Sequence, residues 1–347
     1  MYVGDHLQIE YARQQETSLI KRRASRAGLV LWMFLLAQAA LLVAAVFISL
    51  LDPFSFSEWM LSLTPLASTA LNMIEYVLLL GVPLIIGLRI CRKDGIVPVV
   101  AEPVPPIRAV AYLLAGLGVC VFANFIASWA VEFWELFGIR SPAMEMEQDG
   151  SAATLLMMLL STAVLPAFME ELLFRGVILQ ALRPAGDVSA LVLSSVLFGL
   201  THGTIAQIPF ATLIGLVCGY LVLKTGNLYL GMILHFLNNA LAVFLDFLTQ
   251  GLSDERAGVW FYLVFAVLAM LGLVGWLYLR HRAPDAITPV NDGVSSWLSR
   301  AQRRRCVWLS PLILIYMIAM LLLTFLSAGV FASIEEWMTV PGGFPYG

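Results

Sequence analysis

The stretch Pro166-Ala167-Phe168-Met169-Glu170-Glu171-Leu172-Leu173-Phe174-Arg175 sets two adjacent carboxylates and a guanidinium inside an apolar run from about Ala152 to about Leu182. A run of this length can cross a bilayer as a helix, and ionisable groups within a span face a bundle interior or a wet cavity because hydrocarbon does not solvate them. Composition says that such a bundle exists. Of 347 residues, 60% are hydrophobic and 12% charged, with a mean hydropathy of +0.88, far from the range of soluble domains. The chain reads as an all-α, polytopic transmembrane helix bundle.

Toward the N-terminus, residues 1–26 are polar and end in the basic cluster Lys21, Arg22, Arg23 and Arg26, which marks an inner, cytoplasmic segment. Three spans are expected within 27–131, at about 27–51, 64–88 and 109–131, with the Pro-rich stretch Pro98 to Pro106 as an extended connector. An acidic outer loop follows at 132–150, holding Glu132, Glu135, Glu145, Glu147 and Asp149 against Arg140. The core at 151–248 contains the opening run and spans at about 188–202, 208–224 and 228–248. Residues 249–347 add two spans, at about 257–279 and 307–332, around a basic inner loop at 280–306. The count is nine crossings, N-terminus inside and C-terminus outside. With that arrangement all of the 20 lysines and arginines except Arg140 and Arg256 fall on the inner side.

Other classes find little support. The four cysteines, Cys91, Cys120, Cys218 and Cys306, are scattered and carry no redox or metal spacing. No nucleic-acid partner is expected, since nothing beyond the short basic run Arg303 to Arg305 supports one. The segment 292–305 has the make-up of an interfacial helix that anchors on the lipid surface. Gly199 with Gly203, and Gly215 with Gly219, are small-residue pairs suited to close helix approach. Glu75, beside Asn72 in the second span, is expected to line a cavity or to satisfy a polar neighbour.

The chemistry lies in three segments. On a helix, Glu171 and Arg175 share a face and can pair, while Glu170 points roughly 140° from Arg175 and stays free to act as a base. Two further apolar segments hold Phe198 to His202 and His235 to Asn239, each with its end residues one turn apart. The remaining histidines, His6 and His281, lie in polar flanks. A glutamate beside a histidine can polarise a water molecule, and a second histidine with an asparagine can donate hydrogen bonds to an oxyanion. Such a set suits hydrolysis of a peptide bond without a nucleophilic side chain. Phe198 reads as packing.

The motifs EExxxR at Glu170 to Arg175, FxxxH at Phe198 to His202 and HxxxN at His235 to Asn239 resemble those of the CAAX prenyl protease and bacteriocin-processing (Abi) family of intramembrane glutamic endopeptidases. The resemblance covers about Ala152 to Leu248. It implies that Glu170 and His202 activate the water, that His235 and Asn239 stabilise the oxyanion, and that Glu171 and Arg175 hold the site together. It also implies a membrane-associated protein or peptide as substrate. No cofactor is expected, although zinc on Glu170, His202 and His235 is an alternative. A non-catalytic scaffold or immunity-type binding protein, and a proton-coupled transporter, are the readings from other classes.

Depth poses a condition. Counting about 1.5 Å per residue puts Glu170 roughly 27 Å from the outer surface, near the inner one, yet His202 some 21 Å from that inner surface. The two can meet only if span four is kinked or tilted around Pro166, or if span five starts above the inner surface. A cavity in the inner half of the membrane, open to the cytoplasm, is the expected setting.

Overall fold

A computed structural model describes residues 3–51, 58–60, 62–139, 149–290 and 296–339. The part of the acidic loop that holds Arg140, Glu145 and Glu147, and the beginning of the expected interfacial segment at 291–295, lie outside the described residues. Among the described residues, ten main helices follow in order, with a short 3-10 helix at Pro284–Ile287 between the eighth and ninth: α1 (Val3–Leu51), α2 (Pro65–Asp94), α3 (Pro106–Glu135), the composite α4 (Ala152–Ala185), α5 (Asp187–Thr201), α6 (Gln207–Thr225), α7 (Leu228–Thr249), α8 (Asp254–Arg282), α9 (Arg300–Trp308) and α10 (Pro311–Thr339). Among the described residues the only strand-like pairing is a single bridge between Ala101 and Asn227.

Eight of these helices are long and apolar enough to cross a membrane. The exception among the expected spans is α5, whose 15 residues rise about 22 Å against a hydrocarbon core of about 30 Å. The expected nine crossings thus become eight full-length helices and one short helix wedged among them. α1 runs unbroken for 49 residues through the polar N-terminal segment and into the first span. At the other end, a break at Leu309 and Ser310 separates α9 from α10, where a single span from 307 was expected.

The helix ends follow local chemistry. Thr64 caps α2, with Pro65 in its first turn, and Gly95 closes it in the left-handed region at φ 65°. Ser151 accepts from the Thr154 N–H at the start of α4, and Asn227 accepts from the Tyr229 and Leu230 N–H groups at the start of α7. Ser299 and Gln302 form a reciprocal capping box on α9.

The larger of two buried apolar clusters joins α4, α5 and α10 to the middle of α1, through Phe174, Ile178, Leu193, Phe198, Ile313 and Leu31. Gly199 meets Thr212 and the Ile208 carbonyl so closely that no side chain fits there, which lets α5 and α6 pack backbone to backbone. Gly203 plays a different part from the one its spacing suggested: at φ 64° it turns the chain after α5. The Pro-rich connector is extended, as expected, and it is also anchored. Glu102 N–H donates to the Gly226 carbonyl at 2.9 Å, Leu228 N–H to the Val100 carbonyl at 2.8 Å, and Asn227 Nδ2 to the Glu102 carbonyl at 2.8 Å. The connector between α2 and α3 therefore fixes the turn that leads into α7.

Candidate active site

The composite helix α4 is where the backbone departs from regularity. It alternates α-helix at Ala152–Met158 and Leu165–Glu171 with π-helix at Leu159–Val164 and Leu172–Ile178, and ends in a 3-10 turn at Arg183–Ala185. Glu170 and Glu171 close the regular segment between the two π stretches. Pro166 has no N–H to offer the carbonyl four residues earlier, that of Thr162, so a regular ladder fails there. Asn239 of α7 supplies the missing donor, its Nδ2 standing 3.0 Å from the Thr162 carbonyl oxygen. The second π stretch leaves the Arg175 carbonyl to be met at 3.1 Å by Gln180 Nε2. The helix expected to kink or tilt around Pro166 is thus irregular in backbone on both sides of that residue.

The pair expected from helical spacing is present. Arg175 and Glu171 approach to 2.9 Å, with side chains 1% and 0% exposed. The guanidinium lies 4.3 Å from the Phe198 ring centroid, in cation–π range, and Gly215 on α6 leaves room for it, since a Cβ there would sit 3.1 Å from Arg175 Nη2. Phe198 is thus a hub: its ring also packs edge-on against Phe174 at 5.0 Å, His202 at 4.9 Å and His235 at 6.0 Å.

His235 joins the two carboxylates. Its Nδ1 lies 3.0 Å from Glu171 Oε1 and its Nε2 3.8 Å from Glu170 Oε2. A carboxylate already paired with an arginine is an acceptor, so Nδ1 carries the proton and donates to Glu171. Gly231, one turn earlier on α7, lets Glu171 in, because a Cβ there would meet its Oε2 at 3.2 Å. Glu170 is held on its other side by a residue that the motifs do not contain. Tyr76 of α2 donates its hydroxyl to Glu170 Oε1 at 2.6 Å. Glu170 Oε2 is buried and has no hydrogen-bond partner among the described residues.

His202 sits at the end of α5, with Nδ1 3.0 Å from the Phe198 carbonyl. A carbonyl can only accept, so this histidine too is protonated at Nδ1, and Nε2 keeps its lone pair. Its ring reaches the cluster through Phe198 and makes no hydrogen bond to Glu170. Asn239 spends one amide N–H on Thr162, and its Oδ1 accepts from Asn238 Nδ2 at 3.0 Å, which leaves its second N–H. Glu75 lies on the exposed side of α2 and lines no part of this cluster; its neighbour Tyr76 is the residue that faces inward. Among the described residues, no three His, Cys, Asp or Glu side chains converge as a metal-binding set.

Fold and site together define a multi-pass membrane protein with a buried carboxylate–histidine–arginine cluster. Residues 152–241 match the family described as Type II CAAX prenyl endopeptidase Rce1-like. A Bacillus subtilis (strain 168) protein named "Putative membrane peptidase YdiL" is 27% identical over 141 residues, which make up 40% of this chain and 57% of that protein. The chain thus spans little more than half the length of this curated relative. No solved structure matches it. The matched segment contains Glu170, Glu171, Arg175, Phe198, His202, His235 and Asn239; Tyr76 stands outside it.

Proposed function

We propose that the chain is an intramembrane endopeptidase that hydrolyses a peptide bond of a membrane-associated protein or peptide by glutamate- and histidine-activated water. The observation that carries this reading is the buried, unpartnered Glu170 Oε2 at 3.8 Å from His235 Nε2. That gap is too long for a direct hydrogen bond, so Oε2 is left to accept from a water and Nε2 faces the same space, where an oxyanion donor is needed.

Each residue then has a task. Glu170, oriented by Tyr76, takes a proton from water, with the Nε2 lone pair of His202 sharing the load. The water oxygen bonds to the carbonyl carbon, and the carbonyl oxygen becomes negative. His235 in its imidazolium form, held at Nδ1 by Glu171, presents Nε2–H to that oxygen, and the second N–H of Asn239 joins it. In that form the two carboxylates balance His235 and Arg175, so the buried cluster carries no net charge. Collapse of the tetrahedral intermediate breaks the C–N bond, and the proton held by Glu170 passes to the leaving nitrogen. No metal enters this scheme, and the water reaches the site through a cavity on the cytoplasmic side.

Comparing membrane peptides from cells expressing wild type and Glu170→Gln tests the reading. Cleavage products that vanish in the variant, with the protein still inserted at wild-type level, are the expected result. Identical peptide profiles would assign the cluster to scaffolding. The family description makes prenylated C-terminal peptides the first substrates to try.

A further inference from the structure

Away from the cluster, a cavity of about 600 Å³ opens between the polar half of α1 and the α9–α10 corner. Two cations line it, Lys21 from α1 and Arg305 from α9, together with Ser25, Cys306, Leu309 and Ser310. No carboxylate lines it. Glu16, the acidic residue on the neighbouring turn of α1, is committed elsewhere, to the Ser296 hydroxyl and, at 2.9 Å, to the Trp297 N–H.

Ser310 is the informative residue. It stands at the head of α10, directly before Pro311, where a serine ordinarily caps the first turn. Here it is only 4% exposed and its Oγ has no hydrogen-bond partner among the described residues. A buried hydroxyl without a partner costs stability unless something outside the chain satisfies it. The positive end of the α10 dipole opens on the same space, so two side-chain cations, a helix N-terminus and an unused hydroxyl all favour an anion with oxygen acceptors.

The apolar rim favours one source of that anion. Leu309, within the lining, is 54% exposed, and Trp297, next in sequence to the lining residue Leu298, is 57% exposed; exposed aliphatic and aromatic side chains of this kind suit contact with lipid. We infer that this cavity binds the phosphate of an anionic phospholipid headgroup from the leaflet that faces the basic loops.

Cys306 provides the readout. It lines the cavity and is half-buried, whereas Cys91, Cys120 and Cys218 are buried in the bundle. Burial pushes its thiol above the usual range, so alkylation by a soluble maleimide is followed at alkaline pH. The full chain is placed in vesicles of phosphatidylcholine alone, in phosphatidylcholine mixed with phosphatidylglycerol, and in phosphatidylcholine with added inorganic phosphate. Slower Cys306 alkylation in the phosphatidylglycerol vesicles is the expected result. Lys21→Gln and Arg305→Gln, both at exposed positions, should each lose about fivefold in apparent affinity for the anionic lipid. Ser310→Ala should weaken protection further without changing the charge. Equal alkylation in the two lipid mixtures, or protection that survives the double variant, overturns the proposal. Protection by inorganic phosphate with none from phosphatidylglycerol overturns the lipid assignment.

Discussion

Asn239 Nδ2 donates to the Thr162 carbonyl at 3.0 Å, filling the place of the N–H that Pro166 lacks. One motif residue is therefore also a splice between α7 and the irregular part of α4. Asn239→Ala should lower stability by about 1–3 kcal/mol, the cost of a buried acceptor left alone. Adding Pro166→Ala returns an N–H to the ladder and should recover most of that loss. If Asn239 also serves the oxyanion, the double variant stays inactive although its Tm is restored. Recovery of both together would limit Asn239 to the splice.

Tyr76→Phe removes the donor on Glu170 Oε1 and little else, since the ring remains. Hydrogen bonds to charged groups contribute about 1.5–3 kcal/mol, so kcat should fall about 10- to 100-fold. KM and insertion into the membrane should stay near wild type. An unchanged kcat would show that Glu170 is positioned by other means.

The two adjacent glutamates should separate in their effects. Glu171→Gln leaves Arg175 buried without its counter-ion and should cost about 3–5 kcal/mol in stability. Glu170→Gln keeps the Tyr76 contact and that ion pair. It should leave Tm nearly intact while reducing cleavage by a factor of about 10²–10⁴. Thermal unfolding and cleavage assays on both variants check the split.

Cleavage by the purified protein should survive a strong chelator unchanged. Loss of activity on chelation with recovery on adding zinc would move Glu170, His202 and His235 to the role of ligands.

Much of the fold was legible because hydrophobic runs mark spans: α7, expected at 228–248, is Leu228–Thr249. The Glu171–Arg175 pair was legible from spacing alone. The short span expected at about 188–202 is α5, Asp187–Thr201, so its length was legible too; what an apolar run cannot show is whether a helix of 15 residues crosses the bilayer. Two parts of the site were harder to see. The π segments of α4 leave no mark in a pattern of nearly uniform hydrophobicity, although Pro166 did signal that the helix departs from regularity nearby. Tyr76 is 94 residues from Glu170, and in an aliphatic span the charged neighbour Glu75 drew attention that belonged to the tyrosine.

The contact between Tyr76 and Glu170 has a consequence for modularity. The family-matched segment begins at residue 152, so the stretch that carries all three motifs does not by itself complete the polar shell of its own carboxylate. An excised fragment covering 152–241 would fold, if at all, around a glutamate stripped of its phenol. α2 belongs to the shell around Glu170, and a transplant of the motifs into another scaffold would have to carry a donor in its place.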